Sequence, residues 1–314
     1  MDEVKEIKES FDFYDQTYLK SYNLNKALQY QLNLLDSLDV YTRKHSENVA
    51  TIVCNLCRKM HFSRDFTEYC TISAFLHDIG KLFIPSEILQ KPAQLTDEEY
   101  EIMKKHTTLG YKLCIKDTKL RPYHAGAYYH HECLDGTGYP QGLVQKDIPI
   151  EAQIIKVADE YEAIVHKRQY KSHVGISDAL KIIIEHTKPS PNAPKHTGFT
   201  HAGKNNKKVV RKLLKVVIDD AEYELSLTIG YVEFLKKEIQ RYEKIEHYIK
   251  KMNSARDEKK KNYYYEYAKL YFHHDECFEN FEQLYREAID AYHLRKTNVD
   301  NLNKEIKTIK RLIV

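Results

Sequence analysis

The sequence predicts an all-α protein, and three observations support that fold class. Apolar residues recur at the three- and four-residue spacing of amphipathic helices through most of the chain. Alternating Val- and Ile-rich segments of the strand type are nearly absent. The last proline is Pro194 and the last glycine is Gly230, so residues 231–314 contain neither helix breaker. We therefore expect helices throughout, with an especially regular C-terminal third.

The periodicity predicts a series of separate helices in the N-terminal two-thirds of the chain. After an aromatic-rich segment, residues 1–23, the expected helices are Leu24–Leu38, Thr42–Met60, Thr67–His77, Arg121–His131, Glu151–Val165 and Gly175–His186. Thr96 followed by Glu99 predicts a capping box at the start of one more helix. Thr187–Asn206 holds three prolines and two glycines, so we expect a loop there, followed by a helix over "KKVVRKLLKVVIDD".

The C-terminal third carries a heptad pattern. Apolar or aromatic residues alternate at spacings of three and four from Tyr264 to Ile313, and only His274 and Arg295 interrupt the series. We expect a long, coiled-coil-like antiparallel hairpin over residues 222–314, with a second arm of about fifty residues, roughly 75 Å if unbroken. This hairpin either extends the bundle and buries its own seam, or binds a second copy of the chain or a partner protein.

Composition and charge exclude several classes of protein. The 314 residues carry a formal net charge of +3, with 30% charged and 42% hydrophobic residues. Nearly balanced charge gives no argument for a nucleic-acid or membrane-surface partner. No apolar stretch approaches the ~20 residues of a membrane span, and the acidic, polar start lacks the apolar segment of a secretory signal. The sequence predicts a soluble, cytoplasmic protein.

The six cysteines do not form an obvious redox or zinc motif. Cys54 and Cys57 make a CxxC pair inside a helical pattern, whereas a redox CxxC usually opens a helix after a strand. No second CxxC is present to complete a zinc site, and the predicted cytoplasmic location argues against disulfides. We interpret Cys54 and Cys57 as a buried, inert pair on one helix.

Histidines and carboxylates cluster in patterns that suit a metal site. In "FLHDIGKLFIP", His77 and Asp78 are adjacent and Lys81 follows one turn later. Neighbours on a helix point about 100° apart, so the first two can approach one metal at a helix end, or Asp78 can bridge two metals. Lys81 offers a point charge for a phosphate. The alternative is a capped helix end with a buried ion pair.

Five further ligand-type residues raise the total to seven: His45, His106, His130, His131 and Asp159. Five histidines and two carboxylates suit Fe, Mn, Zn or Co, and the absence of thiolates disfavours a structural zinc site. Seven ligands are too many for one ion and suit two, an arrangement that favours cleavage of phosphate esters.

The motifs "HDIGK", "HHECLDGTGYP" and "VADEYEAIVHKRQYK" occur in that order. Together they resemble the HD-GYP branch of the HD phosphohydrolases, over about Leu24–Ala221. The resemblance implies an HD-type helical bundle around a binuclear or trinuclear metal site. It also implies a phosphodiesterase that hydrolyses cyclic di-GMP to pGpG or GMP with a metal-activated hydroxide. We expect three parts: 1–23, a catalytic domain 24–221 with a loop insertion 187–206, and the hairpin 222–314.

The resemblance also implies residue roles. His45, His77, Asp78 and Asp159 would hold one metal, and His106, His130 and His131 the second, with Asp78 bridging and catalytic. Lys81 would be catalytic and contact the scissile phosphate. The other implied substrate contacts are Gly138, Tyr139, Arg168, Lys171 and Asp39, with Tyr139 packing against a purine face.

Three positions depart from the family pattern. Tyr41 stands where three-metal members have a glutamate, so we expect two ions, Fe or Mn in first place and Zn, Co, Ni or Mg as alternatives. Gln169 replaces the proline of the usual Arg-Pro-Tyr. The 187–206 loop is longer than usual and is either a lid or slack, and we expect its His196 and His201 to be exposed rather than ligands.

Two other functions stay open at this point. One is the same chemistry on another cyclic dinucleotide or on a nucleotide. The other is a non-catalytic cyclic-dinucleotide receptor or scaffold.

Overall fold

The computed structural model describes residues 40–169, 175–189 and 202–313, with the side chains of 42–165 in the first range. Its regular elements are helices, and the only β-pairing in these ranges is one isolated bridge between Asp135 and Val144. The all-α prediction is confirmed. The segment 1–23, the helix Leu24–Leu38, and His196 and His201 of the predicted loop lie outside the described residues.

Ten α-helices are described in these ranges. They are α1 (Val40–Lys59), α2 (Arg64–Phe75), α3 (Ser86–Leu89), α4 (Asp97–Lys116), α5 (His124–Tyr129), α6 (Ile150–Gln169), α7 (Ile176–Glu185), α8 (Lys207–Ser254), α9 (Glu258–Lys269) and α10 (Phe281–Leu312). Short 3-10 helices cover Ile79–Phe83 and Arg121–Tyr123. The predicted helices are found within a few residues, except that the one expected from Arg121 begins as a 3-10 turn. None of the described helices has the combined length and apolarity that a membrane span requires.

The chain divides into two compact units, with the boundary between Val217 and Ile218. In the first unit, α1 packs against α2 and α6, and α4 packs against α5 and the first 3-10 helix. Its largest fully buried side chains are Leu56, Ile72, Phe75, Leu76, Ile79, Leu120, Ile154, Ile155 and Leu180. Cys54 and Cys57 are buried free thiols on α1, as the interpretation of a buried pair requires, and their inertness stays a prediction.

Helix ends in the first unit follow local capping signals. Ser63 caps α2 by accepting a hydrogen bond from the Phe66 amide at 3.2 Å. The predicted capping box at Thr96 and Glu99 is confirmed, because each side chain accepts the backbone N–H of the other. These caps fix where α2 and α4 begin, and hence help to place His77, which follows α2, and His106, which lies on α4.

A close backbone approach joins the first 3-10 helix to α4. A Cβ placed on Gly80 would lie 1.9 Å from the carbonyl oxygen of His106 and 2.5 Å from the amide nitrogen of Gly110. Only glycine fits such a contact. The approach brings the residues just after α2 next to His106.

The second unit, Ile218–Arg311, is antiparallel, as the hairpin prediction requires. Phe281 packs with Tyr242 and Ile245 at one end. At the other end Lys310 forms an ion pair with Glu222 at 2.6 Å. Between them, the Arg295 guanidinium lies over the Tyr231 ring, 4.5 Å from its centroid. This contact explains why the heptad series tolerates an arginine at that position.

The second arm of the hairpin is not one continuous helix. It is interrupted at residues 270–280, between α9 and α10. Arg241 donates hydrogen bonds to the Tyr271 carbonyl at 2.6 Å and to the Glu276 carboxylate. Asn280 accepts the Cys277 amide at 2.8 Å. These bonds satisfy backbone groups in a turn, which competes with continuation of the helix. His274, one of the two residues out of pattern, lies in this interruption.

We predict that Gly80→Ala lowers the free energy of unfolding by about 2–3 kcal/mol, because the added methyl group collides with backbone that cannot rotate away. Urea denaturation followed by circular dichroism measures the change. Gly230→Ala is the control, since Gly230 lies on α8 with nothing within 4 Å of an added Cβ. This control should be neutral or stabilising by less than about 1 kcal/mol. Equal effects of the two substitutions would contradict the packing argument.

Candidate metal centre

The predicted metal ligands of the first unit surround the carboxylate of Asp78. That side chain is 2% exposed. Its Oδ2 atom lies 3.6 Å from His45 Nε2 and 3.2 Å from His77 Nε2. Its Oδ1 atom lies 3.5 Å from His106 Nε2 and 4.0 Å from His130 Nε2. One carboxylate therefore faces two sets of imidazoles with its two oxygens.

The ligand atoms fall into two groups that could each hold a metal ion. One group consists of His45, His77 and Asp78, and the other of His106, His130 and His131. Asp159 joins the first, with its Oδ1 atom 3.1 Å from His45 Nε2 and 3.9 Å from His77 Nε2. The fold therefore assembles all seven predicted ligand residues in one place.

Different elements contribute these side chains. His45 lies on α1, His106 on α4 and Asp159 on α6. His77 and Asp78 follow the end of α2, and His130 and His131 follow the end of α5. Because the ligands come from across the bundle, the site depends on the packing of the whole first unit.

Backbone carbonyls orient three of the imidazoles. His77 Nδ1 donates to the Ala74 carbonyl at 2.6 Å, and His106 Nδ1 donates to the Met103 carbonyl at 2.7 Å. His130 Nδ1 donates to the carbonyl of Gly126 at 2.9 Å. A proton fixed on Nδ1 leaves Nε2 as the free lone pair. All three Nε2 atoms are therefore prepared to bind a cation.

Glu162 orients His45 and was not predicted from the sequence. Its Oε2 atom lies 2.5 Å from His45 Nδ1, and its Oε1 atom accepts a hydrogen bond from Asn48 at 2.8 Å. A carboxylate behind a ligating imidazole fixes the ring and raises its basicity. The signal was available, because residues three apart on a helix share a face and Glu162 lies three residues after Asp159.

The buried negative charge of the cluster also favours a bound cation. Burial alone would raise the pKa of Asp78, but His77 and Lys81 hold that pKa well below its ordinary value. Asp159 behaves similarly, because His45 outweighs burial and keeps the pKa of its carboxyl low. Burial would lower the pKa of His45, yet hydrogen bonds to Asp159 and Glu162 raise it to about 10. A proton on His45 thus compensates buried negative charge that a metal ion would otherwise neutralise.

In the second group of ligands the pKa values of the imidazoles are lowered, whereas the pKa of His45 is raised. Burial lowers the pKa of His106, and burial together with neighbouring imidazoles lowers the pKa values of His130 and His131 well below the usual range. These three rings are neutral at pH 7. Neutral imidazole is the form that binds metals.

One buried nitrogen atom without a hydrogen-bond partner also indicates that a metal ion would fit the cluster. His77 Nε2 is buried and has no hydrogen-bond partner within the described residues, although oxygens of Asp78 and Asp159 lie 3.2 and 3.9 Å away. An unsatisfied buried lone pair is costly unless something binds it. The residues therefore fit divalent metal ions, and nitrogen and oxygen ligands are consistent with the borderline and hard cations expected from the sequence.

The glycine-rich turn that follows His131 folds back onto its own start. A Cβ on Gly138 would lie 2.3 Å from the Cys133 amide nitrogen, so only glycine fits there. The Glu132 carboxylate accepts the Gln141 amide at 2.7 Å and the amide of Leu143 at 2.8 Å. Glu132 was not among the predicted site residues, and it fixes the far end of the turn.

The predicted phosphate and substrate contacts are only partly described. Lys81 Nζ donates to Asp78 Oδ2 at 2.5 Å, so it lies at the centre of the cluster. Tyr139 stacks on the His131 ring, with 4.7 Å between centroids. Asp39, Lys171 and the side chain of Arg168 lie outside the described residues, and these three assignments stay predictions.

The fold and the cluster define a class: an all-helical protein with a histidine and carboxylate site for divalent metal ions. The chain belongs to the HD domain family, whose profile matches residues 29–189. This match confirms the resemblance to HD phosphohydrolases that the motifs indicated.

Three curated relatives share this region. A cyclic di-GMP phosphodiesterase from Thermotoga maritima is 40% identical over 155 residues, which is 48% of this chain and 42% of that protein. The cyclic di-GMP phosphodiesterase PdeB from Borreliella burgdorferi is 40% identical over 142 residues, 44% of this chain and 37% of that protein. The 3′3′-cGAMP-specific phosphodiesterase 1 from Vibrio cholerae is 30% identical over 154 residues, 48% of this chain and 35% of that protein. The aligned region thus covers less than half of each relative.

We predict that Glu162→Ala weakens metal binding about 10- to 100-fold, because His45 loses the group that orients it. Competition against a fluorescent chelator, with Mn(II) or Co(II), measures the affinity. Glu160→Ala is the matched control on the same helix, since the Glu160 carboxylate contacts His186 and accepts a hydrogen bond from Asn205. If both substitutions weaken binding equally, the orienting role of Glu162 is wrong.

Proposed function

We propose that this chain is a metal-dependent phosphodiesterase that hydrolyses a cyclic dinucleotide, with cyclic di-GMP as the first candidate substrate. The observation that carries the proposal is the position of Asp78, a buried carboxylate whose two oxygens face two groups of imidazoles. Two metal ions bound side by side are well suited to hydrolysis of a phosphodiester. The names of the relatives support the substrate class.

The proposal assigns two divalent ions to the seven clustered residues, Fe or Mn in first place. His45, His77, Asp78 and Asp159 would hold one ion, and His106, His130 and His131 the other, with Asp78 shared. When bound, such ions lower the pKa of water and withdraw charge from phosphoryl oxygens. The low pKa values of Asp78 and Asp159 support ligands that are already ionised at neutral pH.

Lys81 is proposed to stabilise negative charge on the scissile phosphate. Its ammonium group lies within 2.5 Å of Asp78 Oδ2, at the point that the two imidazole groups share. A fixed positive charge in a partly buried site stabilises the transition state of phosphoryl transfer more than the same charge in water does. Hydrolysis adds one water and breaks one P–O3′ bond, which leaves a 5′-phosphate and a 3′-hydroxyl.

The remaining substrate contacts are proposed from the family resemblance. Arg168 and Lys171 would bind the phosphates of the cyclic dinucleotide, and Asp39 would meet a guanine. Gly138 and Tyr139 would line the cleft beside the second imidazole group. One face of the Tyr139 ring is already in contact with His131, so a purine would have to approach another part of that ring.

A second substrate has a specific observation in its favour. The Vibrio cholerae relative is named for 3′3′-cGAMP, which differs from cyclic di-GMP in one base. Both molecules contain the phosphodiester that the metal cluster is proposed to hydrolyse. The choice between them therefore rests on the base contacts rather than on the cluster.

We predict that Asp78→Ala abolishes metal binding and lowers hydrolysis at least about 100-fold, because both ions lose their shared ligand. Elemental analysis and a cyclic di-GMP hydrolysis assay measure the two effects. Asp78→Asn provides a variant of nearly the same shape, and Asp147→Ala, at an exposed position away from the cluster, is the control. Wild-type activity in both Asp78 variants would refute the proposed function.

We predict that the Mn(II)- or Fe(II)-loaded chain hydrolyses cyclic di-GMP with a kcat/KM at least about tenfold higher than that for cyclic di-AMP, since the proposed Asp39 contact favours guanine. Product analysis by liquid chromatography distinguishes pGpG from GMP. A preference for 3′3′-cGAMP would make that molecule the substrate and would leave the proposed hydrolysis of a phosphodiester unchanged. Tight binding of cyclic dinucleotides without turnover by the metal-loaded chain would favour a receptor or scaffold.

A further inference from the structure

The imidazoles of the cluster are held in two different ways. Four rings have a hydrogen-bond partner on Nδ1: carbonyl oxygens for His77, His106 and His130, and the Glu162 carboxylate for His45. Within the described residues the His131 ring makes no hydrogen bond of this kind. Something else must fix its orientation if it is to ligate a metal.

The contact that His131 does make is an aromatic stack. The Tyr139 ring lies on it with 4.7 Å between centroids and an angle of 24° between the planes. The other ring neighbours, His106 and His130, meet it at 89° and 46°, and they are themselves members of the cluster. Near-parallel stacking restricts rotation of both rings about their χ2 bonds. Tyr139 is therefore placed to set the plane of the His131 ring.

Tyr139 is itself held firmly in that position. Its backbone amide donates to the His131 carbonyl at 3.3 Å, which ties the two residues together. Gly138 allows the chain to pass within contact distance of His131 and Cys133. Beyond the tyrosine, Glu132 binds the amides of Gln141 and Leu143. The turn thus begins and ends on the segment that carries His131.

The Tyr139 ring has a second neighbour in the site. The ammonium group of Lys104 also lies over the Tyr139 ring, 5.6 Å from its centroid. The ring is thus packed among groups of the site and is not a free aromatic surface.

We infer that Tyr139 is a positioning residue that orients His131 for metal binding by stacking on it. The inference rests on the proposed function, because it takes His131 as a ligand of the second metal ion. The stack fixes the ring plane of His131, whereas carbonyl oxygens fix both the ring plane and the tautomer of its neighbours His106 and His130. It also gives the glycine-rich turn a role in building the metal site, in addition to lining a cleft.

A role in positioning and a role in substrate binding predict different measurements. If Tyr139 orients His131, its loss weakens one metal site, and this loss of metal affinity is the effect that a role in substrate binding alone would not produce. If the ring instead binds a purine, its loss raises KM and leaves metal affinity unchanged. The hydroxyl group should be dispensable for stacking, so Tyr139→Phe should rescue the first effect.

The experiment measures Mn(II) bound per chain by equilibrium dialysis and elemental analysis for the wild type, Tyr139→Leu and Tyr139→Phe. We expect Tyr139→Leu to weaken one of two sites about 10- to 100-fold, as loss of a group that orients a ligand does. Tyr139→Phe should stay within about threefold of the wild type. Tyr123→Leu is the matched control, because it removes a half-buried tyrosine stacked on Tyr69, at 5.9 Å and 27°, away from the ligands.

Three outcomes separate the alternatives. Two sites of wild-type affinity in Tyr139→Leu, with a raised KM at saturating Mn(II), would overturn the inference and leave the proposed function intact. Failure of the wild type to bind two ions would overturn both. Should Tyr139→Leu not fold by circular dichroism, Tyr139→Met takes its place with the same expected loss, and wild-type binding in that variant would overturn the inference.

Discussion

The burial of one charge governs the first unit of this protein. Asp78 is almost completely enclosed and is ionised, because His77 and Lys81 keep its pKa low despite the cost of burial. A buried carboxylate of this kind requires cations close to both of its oxygens. The ammonium group of Lys81 and a protonated His45 supply positive charge beside Oδ2, whereas the imidazoles beside Oδ1 are neutral. A pair of divalent ions would satisfy it more completely than protons do.

The helices of the first unit bring distant chain segments to this carboxylate. Gly80 lets the segment after α2 touch the backbone of α4, which carries His106. The capping box at Thr96 fixes the start of α4. Carbonyl oxygens, Glu162 and Tyr139 then set the ring orientations. These groups act on the ligands and are not ligands themselves, so the geometry of the site depends on residues around the ligand set as well as on the ligands.

Much of the site was predictable from the sequence because its residues are chemically distinctive. The adjacent pair His77 and Asp78, four further histidines and Asp159, in motifs that resemble the HD-GYP pattern, indicated the seven ligands. Glu162 was missed, since a carboxylate on a helix surface looks like an ordinary solvated charge. The stacking of Tyr139 on His131 was also missed, because the sequence shows that a turn follows His131 but not how sharply it folds back.

The helices were predicted well and the interruption of the second unit was not. Periodicity reports which residues share a face, and that pattern continues through residues 270–280 although the helix does not. At the interruption, Arg241 binds the Tyr271 carbonyl and Glu276, which lie 30 and 35 residues further along the chain. A contact between positions so far apart leaves no trace in local spacing. Long-range polar contacts of this kind override heptad signals wherever they satisfy backbone groups.

The most direct test of the account is the number of metal ions that the protein holds. The chain would be purified anaerobically, reconstituted with Fe(II) or Mn(II), separated from free metal and analysed for metal and protein in the same sample. Two groups of ligands that share Asp78 predict about two divalent ions per chain. A chain that retains none after reconstitution, while remaining folded, would contradict the central claim that this cluster is a metal centre.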